Sequence, residues 1–246
     1  MQKNHPKRMR IKTPHSQTSS SVTSFKNIKN KSGFFWTHPV EVLYQDRDVM
    51  VFEKPAGVLT IANPKELDKN LVDLVNHQFT ENQNWKLFPC HRLDRETSGA
   101  ILFAKSLDAQ HRMMDMFKLH EIKKIYTACV QGQLQKNSGE IRSQISEDGK
   151  LKSALSFYSV IQKKEFFTVI EVQPMTGRTN QIRIQFSEIG HPLVGDRKFS
   201  VAKNFSVKFK RTALHASSLE WISPFSKKMI HVKSDLPEDM RKLIDS

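Results

Sequence analysis

The chain has 246 residues, with 39 Lys and Arg against 25 Asp and Glu, and therefore a formal net charge of +14. This length suffices for one large domain or two small ones and for a sizeable core. No apolar run approaches the roughly 18 residues of a membrane span. Two cysteines without a C-x-x-C pair exclude a disulfide framework and a cysteine zinc site. The basic surplus indicates attraction to polyanions, with nucleic acid ahead of an acidic membrane surface.

The N-terminal segment differs in composition from the rest of the chain. Residues 1–40 carry eight Lys and Arg and no Asp or Glu, and 16–24 are rich in Ser and Thr. This composition predicts a disordered tail over 1–38, ahead of a folded domain over 39–246. The tail could be an arm that grips phosphates or a solvated segment with no specific role. An organelle transit peptide ranks third, because the segment favours Lys over Arg and shows no amphipathic helix.

The folded domain is predicted to begin with a hairpin and a helix. Runs 42–44 and 49–52 are of β type and flank a turn-forming segment, and Lys54 to Gly57 should end the second strand. Asp68 is the predicted N-cap of the helix that follows. The apolar residues at helical spacing in that helix are Leu71, Leu74, Val75 and Phe79.

A buried strand and a second helix come next. Residues 100–104 form a compact apolar run typical of a buried strand. Ser106 is the predicted cap of a helix whose methionines should fill the core. The predicted buried face of this helix carries Leu107, Gln110, Met114 and Phe117.

The second half is predicted to be mostly strands, at 125–130, 155–161, 166–172, 214–221 and 229–232. Ile182, Phe186 and Ile189 share a helix face that ends at Gly190. A short helix over 236–244 should close the chain, with Pro237 in its first turn. Strands outnumber helices, and several are joined by tight turns. The pattern predicts an α+β fold with a mixed, largely antiparallel sheet rather than a doubly wound one.

The segment 91–100 carries the most chemistry. Asp94 lies between Arg92 and Arg95 in a loop directly before the buried strand, where reactive groups are often placed. A nearby guanidinium keeps a carboxylate ionised, and an ionised Asp can act as a nucleophile at a sugar or base carbon. From the residues alone, an ordinary surface ion pair stays open as the alternative.

Two further segments could contribute to a site. Gly177 is predicted to open a helix whose free N–H groups seat a phosphate, with Arg178 and Arg183 adding positive charge. A solvated basic helix face is the alternative. Tyr126 could be a cross-strand packing residue, or its phenol could donate or accept a proton beside a reacting ring.

These segments, in this order, resemble the RluA-type pseudouridine synthases. The matching stretches are HRLDRETSGAILFAKS, KKIYTACVQG, GRTNQIRIQF and GHPLVGD, flanked by DVMVFEKPAGVLT and ALHASSLEW. Each motif alone is modestly specific, but together they run from about Val49 to Trp221. The resemblance implies the pseudouridine synthase α+β fold, a bent mixed sheet with surrounding helices and a central RNA-binding cleft.

The resemblance also implies a reaction and the residues that carry it. A uridine in ribosomal or transfer RNA would be flipped out of its helix and isomerised to pseudouridine. Asp94 would be the catalytic aspartate, Tyr126 the active-site tyrosine and Arg183 the basic partner of the aspartate. Arg92 would fill the vacated stack or grip a phosphate. The other expected substrate-binding residues are Lys54, Arg178 and Gln181.

An isomerisation requires no redox change and no external group, so neither a cofactor nor a metal is expected. The expected partner is structured RNA and not a membrane, and the expected setting is a monomer in the cytoplasm, where lone cysteines stay reduced. Many relatives carry His at the position of Asn180, a difference expected to tune helix packing without loss of activity. The alternatives are a non-catalytic RNA-binding or ribosome-assembly protein, and a glycoside-type hydrolase that uses Asp94 with Glu96.

Overall fold

Ten strands form one sheet in the computed structural model, which describes residues 38–63, 70–81, 83–200 and 207–246. The predicted tail lies outside these ranges except for His38. The strands are β1 (Val42–Gln45), β2 (Val49–Lys54), β3 (Phe88–Pro89), β4 (Ser98–Ala104), β5 (Lys123–Gln131), β6 (Ser138–Glu147), β7 (Lys150–Lys163), β8 (Phe167–Pro174), β9 (Leu214–Ile222) and β10 (Met229–Lys233). The helices are α1 (Leu71–Thr80), α2 (Leu107–Lys118), α3 (Gln181–Glu188) and α4 (Glu238–Asp245).

The sheet is mixed and largely antiparallel, which confirms the predicted α+β class. Its strand order is β1-β2-β4-β9-β5-β8-β7-β6, with β10 beside β9 and β3 beside β4. Within the described sheet, β4 and β9 form the parallel pair. A Cβ on Gly99 would stand 2.4 Å from the carbonyl oxygen of Ala216, and Gly99 has a φ of +114°, so only glycine fits this crossing. The close approach brings the loop before β4 beside the start of β9.

The predicted β1–β2 hairpin, the buried strand β4 and the β7–β8 hairpin are confirmed. The strand β6 was not predicted, because Ile141 and Ile145 are its only large apolar residues and Ser143 interrupts the alternation between them. The signal for it is Asp148-Gly149, which joins β6 to β7 with φ values of 54° and 74°, as in a type I′ turn. This turn also extends β7 to Lys150, ahead of its predicted start.

Helix boundaries and faces account for the other corrections. The cap of α1 is Asn70, whose side chain accepts from the amide of Asp73, and not Asp68, which lies outside the described residues. Helix α2 begins after Ser106 as predicted, but its buried face is Ala109, Met113 and Met116. The predicted face of α2 is wrong because Leu107 stands in the first turn and is 56% exposed.

Two more helix starts differ from the prediction. Helix α3 begins at Gln181 and not at Gly177, because Asn180 adopts a left-handed conformation with a φ of 57° at its N-cap. Its last residue is Glu188 and its C-cap is Ile189, and Gly190, with a φ of +80°, occupies the predicted position directly after the cap. In α4, Pro237 is the N-cap residue and stands just outside the first turn.

Candidate active site

A cleft of about 730 Å³ opens where the loop before β4, strand β5 and the loop before α3 meet. Its lining includes Asp94, Tyr126 and Arg183, which are far apart in the sequence. The register explains the meeting, because Tyr126 pairs with Ala216 on β9 and Ala216 pairs with Gly99 on β4. The three-strand arrangement therefore carries the phenol to the loop that holds Asp94.

Asp94 and Arg183 form an ion pair inside the cleft. Nη1 of Arg183 lies 3.6 Å from Oδ2 of Asp94, and the two side chains are 11% and 22% exposed. The guanidinium supplies an opposite charge at short range in a cleft that is partly shielded from water. The structure therefore places a carboxylate and its counter-ion together in the lining of the cleft.

Asp196 fixes the arginine of this pair, and sequence reasoning did not single it out. Its two carboxylate oxygens accept from Nε and Nη2 of Arg183 at 2.6 and 3.0 Å, and its side chain is 1% exposed. Burial acts against the charges, but the hydrogen bonds and the opposite charge prevail, so the pKa of Arg183 is raised and that of Asp196 is lowered. The available signal was the acidic residue that ends the GHPLVGD stretch.

Backbone geometry brings Asp196 to this position. Gly195 has a φ of +77°, and a Cβ there would stand 1.9 Å from the carbonyl oxygen of Arg211. Only glycine allows that turn. The amides of Lys198 and Phe199 donate to Oδ1 of Asp196 at 3.0 and 3.2 Å, so the carboxylate is held by backbone as well as by the arginine.

Asn180 also contacts the arginine. Its Oδ1 accepts from Nη1 of Arg183 at 2.7 Å, and its side chain makes no capping bond to α3. Nη1 is the same nitrogen that faces Asp94. The side chain of Asn180 therefore acts on the ion pair, whereas helix packing was the expected role.

Tyr126 stands beside the ion pair as a neutral phenol. Burial, helped by the negative charge of Asp94, raises the pKa of Tyr126 well above its ordinary value. A phenol in this environment offers a flat ring and an O–H donor near neutral pH, and it is a poor general base. The geometry thus favours stacking and hydrogen-bond donation.

The structure contradicts the expected substrate contact of Lys54. This side chain is fully buried, and its ammonium donates to the carbonyl oxygens of Pro55, Arg95 and Thr97 at 3.0, 3.1 and 2.8 Å. Burial lowers the pKa of Lys54 to about 7, with a partly opposing effect from the charge of Asp94. Lys54 therefore braces the loop that carries Asp94 and does not reach the cleft.

The predicted phosphate seat at Gly177 is also wrong, because the amides that follow already have acceptors. Those of Arg178 and Thr179 donate to Gln181 and Glu147 at 3.0 and 3.2 Å. Gln181 is buried; its oxygen accepts from Thr176 and Arg178, and its nitrogen donates to Leu155 and Ser156. It borders the cleft but ties the loop to β7, which leaves its expected substrate contact unsupported.

The remaining predicted residues border the cleft. Arg92 is exposed at its edge, and Arg178 lines it while its Nε donates to the carbonyl of Ser153 at 3.2 Å. Glu96, which the hydrolase alternative requires, does not line it. Five Lys and Arg line the cleft against three carboxylates, so its charge suits a polyanion. They are Arg92, Lys118, Lys124, Arg178 and Arg183 against Asp94, Glu147 and Asp148.

The described residues contain neither a metal-binding cluster nor a membrane-spanning helix. Over 38–63, 70–81, 83–200 and 207–246, no three His, Cys, Asp or Glu side chains are grouped to hold a metal ion. In the same part of the chain, no helix has the length and apolar character needed to cross a membrane.

The mixed sheet with an Asp–Arg pair in its cleft can be compared with known protein structures and families. The structure of human RNA Pseudouridylate Synthase Domain Containing 4 aligns with a TM-score of 0.68 and 21% identity, over 83% of this chain and 91% of that one. That likeness establishes the fold. The family model for RNA pseudouridylate synthase matches residues 48–188.

Relatives with higher identity agree. Uncharacterized RNA pseudouridine synthase YlyB of Bacillus subtilis is 32% identical over 221 residues, which cover 84% of this chain and 72% of the relative. The tRNA pseudouridine synthase C of Vibrio cholerae is 30% identical, with 83% and 94% covered. The chain belongs to the RNA pseudouridylate synthase family, as the resemblance to RluA-type enzymes predicted, and is an isomerase that acts on RNA.

Proposed function

We propose that this chain converts specific uridines of structured ribosomal or transfer RNA to pseudouridine, with Asp94 as the reacting group. The observation that carries the proposal is the partly buried ion pair between Asp94 and Arg183, 3.6 Å apart in a cleft with surplus positive charge. Relatives named as transfer RNA and as large ribosomal subunit pseudouridine synthases support both RNA classes.

The isomerisation of uridine to pseudouridine requires no reactant other than the RNA itself. The bond from ribose carbon 1′ to base nitrogen 1 breaks, the uracil turns, and carbon 5 joins the ribose. Carbon 5 loses its hydrogen as a proton and nitrogen 1 gains one, so substrate and product are isomers at the same oxidation level. No redox cofactor or metal is needed for that balance. Asp94 can assist by attacking the sugar or the base, or by taking a ribose proton.

Arg183 and Tyr126 have supporting roles in this proposal. The guanidinium supplies the counter-charge to Asp94 in the partly dry cleft, and it is itself held in place by Asp196 and Asn180. A preorganised charge of this kind stabilises a reacting centre without rearrangement during the reaction. The ring of Tyr126 supplies a surface on which uracil can lie.

The uridine has to leave its helix to reach Asp94, and flipping a base costs a few kcal/mol. A cleft of about 730 Å³ lies within the usual range of ligand pockets and has room for one nucleotide. Arg92, exposed at the edge, is placed to fill the vacated stack or to hold a phosphate. We further propose that the protein acts as a monomer in the cytoplasm.

Tritium release tests the proposal. Transcripts of large-subunit ribosomal RNA and of transfer RNA carrying tritium at carbon 5 of uridine should release it to water with the wild-type chain. Asp94→Asn should release none while it binds the same RNA with nearly unchanged affinity, because phosphate contacts dominate binding. An RNA that is bound by the wild-type chain but never loses tritium would make the passive RNA-binding alternative the correct one.

A further inference from the structure

Lys124 is a cleft residue to which neither the resemblance nor the proposed chemistry gives a role. It lies on β5 two residues before Tyr126, and both side chains line the cleft. Two residues of a strand span about 7 Å, close enough for one nucleotide to reach both side chains. Position 177 is glycine, and a Cβ there would stand 3.7 Å from Nζ of Lys124, which places the ammonium next to the loop before α3.

The ammonium of Lys124 has no carboxylate partner within ion-pair distance among the described residues. Its hydrogen bond is a long one of 3.4 Å to the carbonyl oxygen of Thr176. Two of the other four cleft cations have a carboxylate partner, since Lys118 pairs with Asp115 and Arg183 with Asp196. Arg92, which is exposed, and Arg178, which donates to the carbonyl of Ser153, form no ion pair among the described residues. Buried charges in proteins are normally paired, because desolvation of an unpaired charge is unfavourable.

We infer that Lys124 forms a binding site for a backbone phosphate of the RNA, next to the nucleotide that enters the cleft. This inference rests on the proposed function, since it states where the RNA backbone lies when a nucleotide occupies the cleft. A phosphate suits the site better than a uracil oxygen does, because an anion offsets the charge that burial leaves uncompensated and a neutral carbonyl does not. A compact ammonium on a flexible stem binds phosphate as a point charge.

The protonation of Lys124 should make RNA binding at this site depend on pH. Burial lowers the pKa of Lys124 to about 8. An adjacent phosphate restores the charged form, so binding takes up one proton above pH 8 and the Kd should rise there by at most about tenfold per pH unit. Charged or titratable groups from each element around the cleft include Asp94, His91, His120, Glu147 and Arg178. His91 and Glu147 keep one charge state from pH 7 to 9.5, because their pKa values are lowered to about 3 and about 2.

The test measures RNA affinity against salt and pH in the Asp94→Asn background, where bound RNA is not consumed. The probes are the two transcripts used for tritium release. Lys124→Gln should weaken binding several-fold and reduce the slope of log K against log salt by roughly 0.7–0.9, the loss of one phosphate contact. Lys124→Arg should keep the affinity and lose the rise in Kd above pH 8. Lys123→Gln, the same change at the exposed neighbour on β5, is the matched control and should leave the slope unchanged.

Each outcome bears on the inference. A Lys124→Gln variant that matches Lys123→Gln in affinity and slope overturns it. The inference is also overturned if Lys124→Gln, with Asp94 intact, binds RNA normally but releases tritium slowly. That result would mean that the lysine acts on the reacting base and not on a phosphate. Tritium release by the wild-type chain is measured in parallel, which separates this failure from failure of the proposed function. Far-ultraviolet circular dichroism and melting confirm that each variant folds.

Discussion

The buried carboxylate of Asp196 provides the sharpest test of how the site is held. In Asp196→Asn the side chain keeps its shape, but Arg183 loses the opposite charge and one of two short hydrogen bonds. A hydrogen bond to a charged group contributes about 1.5–3 kcal/mol. If that loss falls on the transition state, kcat drops roughly 10- to 100-fold, at 1.36 kcal/mol per tenfold. RNA affinity should stay within twofold, because Asp196 is 1% exposed and cannot touch RNA.

The assay is single-turnover tritium release with saturating enzyme, paired with filter binding of the same RNA. Asp239→Asn is the control, because Asp239 holds Arg211 through the same bidentate geometry at 2.7 and 2.9 Å. Arg211 keeps its bonds to the carbonyls of Glu96, Thr212 and Leu214 through Nη1, which Asp239 does not use. The kcat of Asp239→Asn should therefore fall less than the kcat of Asp196→Asn. Wild-type kcat in Asp196→Asn, or an equal loss in both variants, would refute the reasoning.

Three further predictions concern other residues. Asn180→Gly retains the left-handed backbone but removes the bond to Arg183, so kcat should fall roughly three- to tenfold with the RNA Kd unchanged; unchanged kcat would restore a helix-packing role. Burial raises the pKa of Glu53 from 4.5 to about 7, so the folded protein binds a proton that the unfolded chain has released, and stability from this group falls as the pH rises from 4.5 to 7. Glu53→Gln should therefore raise the melting temperature more at pH 8 than at pH 4.5, and an equal change at both would count against it. Removal of residues 1–38 should weaken RNA binding and lower its salt slope, whereas an unchanged slope would mean that the tail is inert.

Local sequence signals predicted most of the elements. Period-2 runs with turn residues gave β1, β2, β7 and β8, and Ser106 gave the start of α2. What the sequence could not provide was the pairing of distant strands. The contact of β4 with β9 depends on Gly99 passing the backbone of Ala216, and no local pattern encodes that partner. Strand β6 was missed for a different reason, since it has only two large apolar residues among polar ones and shows no apolar alternation.

The site shows a similar division. The local motif identified Asp94, and the resemblance named Arg183 as its partner, because spacing along the chain cannot bring those residues together. Lys54 and Gln181 were expected to bind substrate because they are polar and lie within matched segments. In the structure, both side chains instead donate hydrogen bonds within the protein. Their acceptors include backbone carbonyls in irregular segments, which have no partner in a helix or sheet. A single sequence does not show which polar groups are already satisfied in the fold.

These internal contacts explain how an irregular loop can hold a reactive group. Lys54 donates to the carbonyls of Arg95 and Thr97, and Arg211 donates to that of Glu96, so buried side-chain donors fix the backbone directly after Asp94. A buried donor that loses its acceptor destabilises the protein, so these hydrogen bonds favour this one loop conformation. Arg183 is held in the same manner by Asp196. Asp94 and Arg183 are thus positioned by separate networks of contacts, so the pair proposed to react is already arranged before any substrate binds.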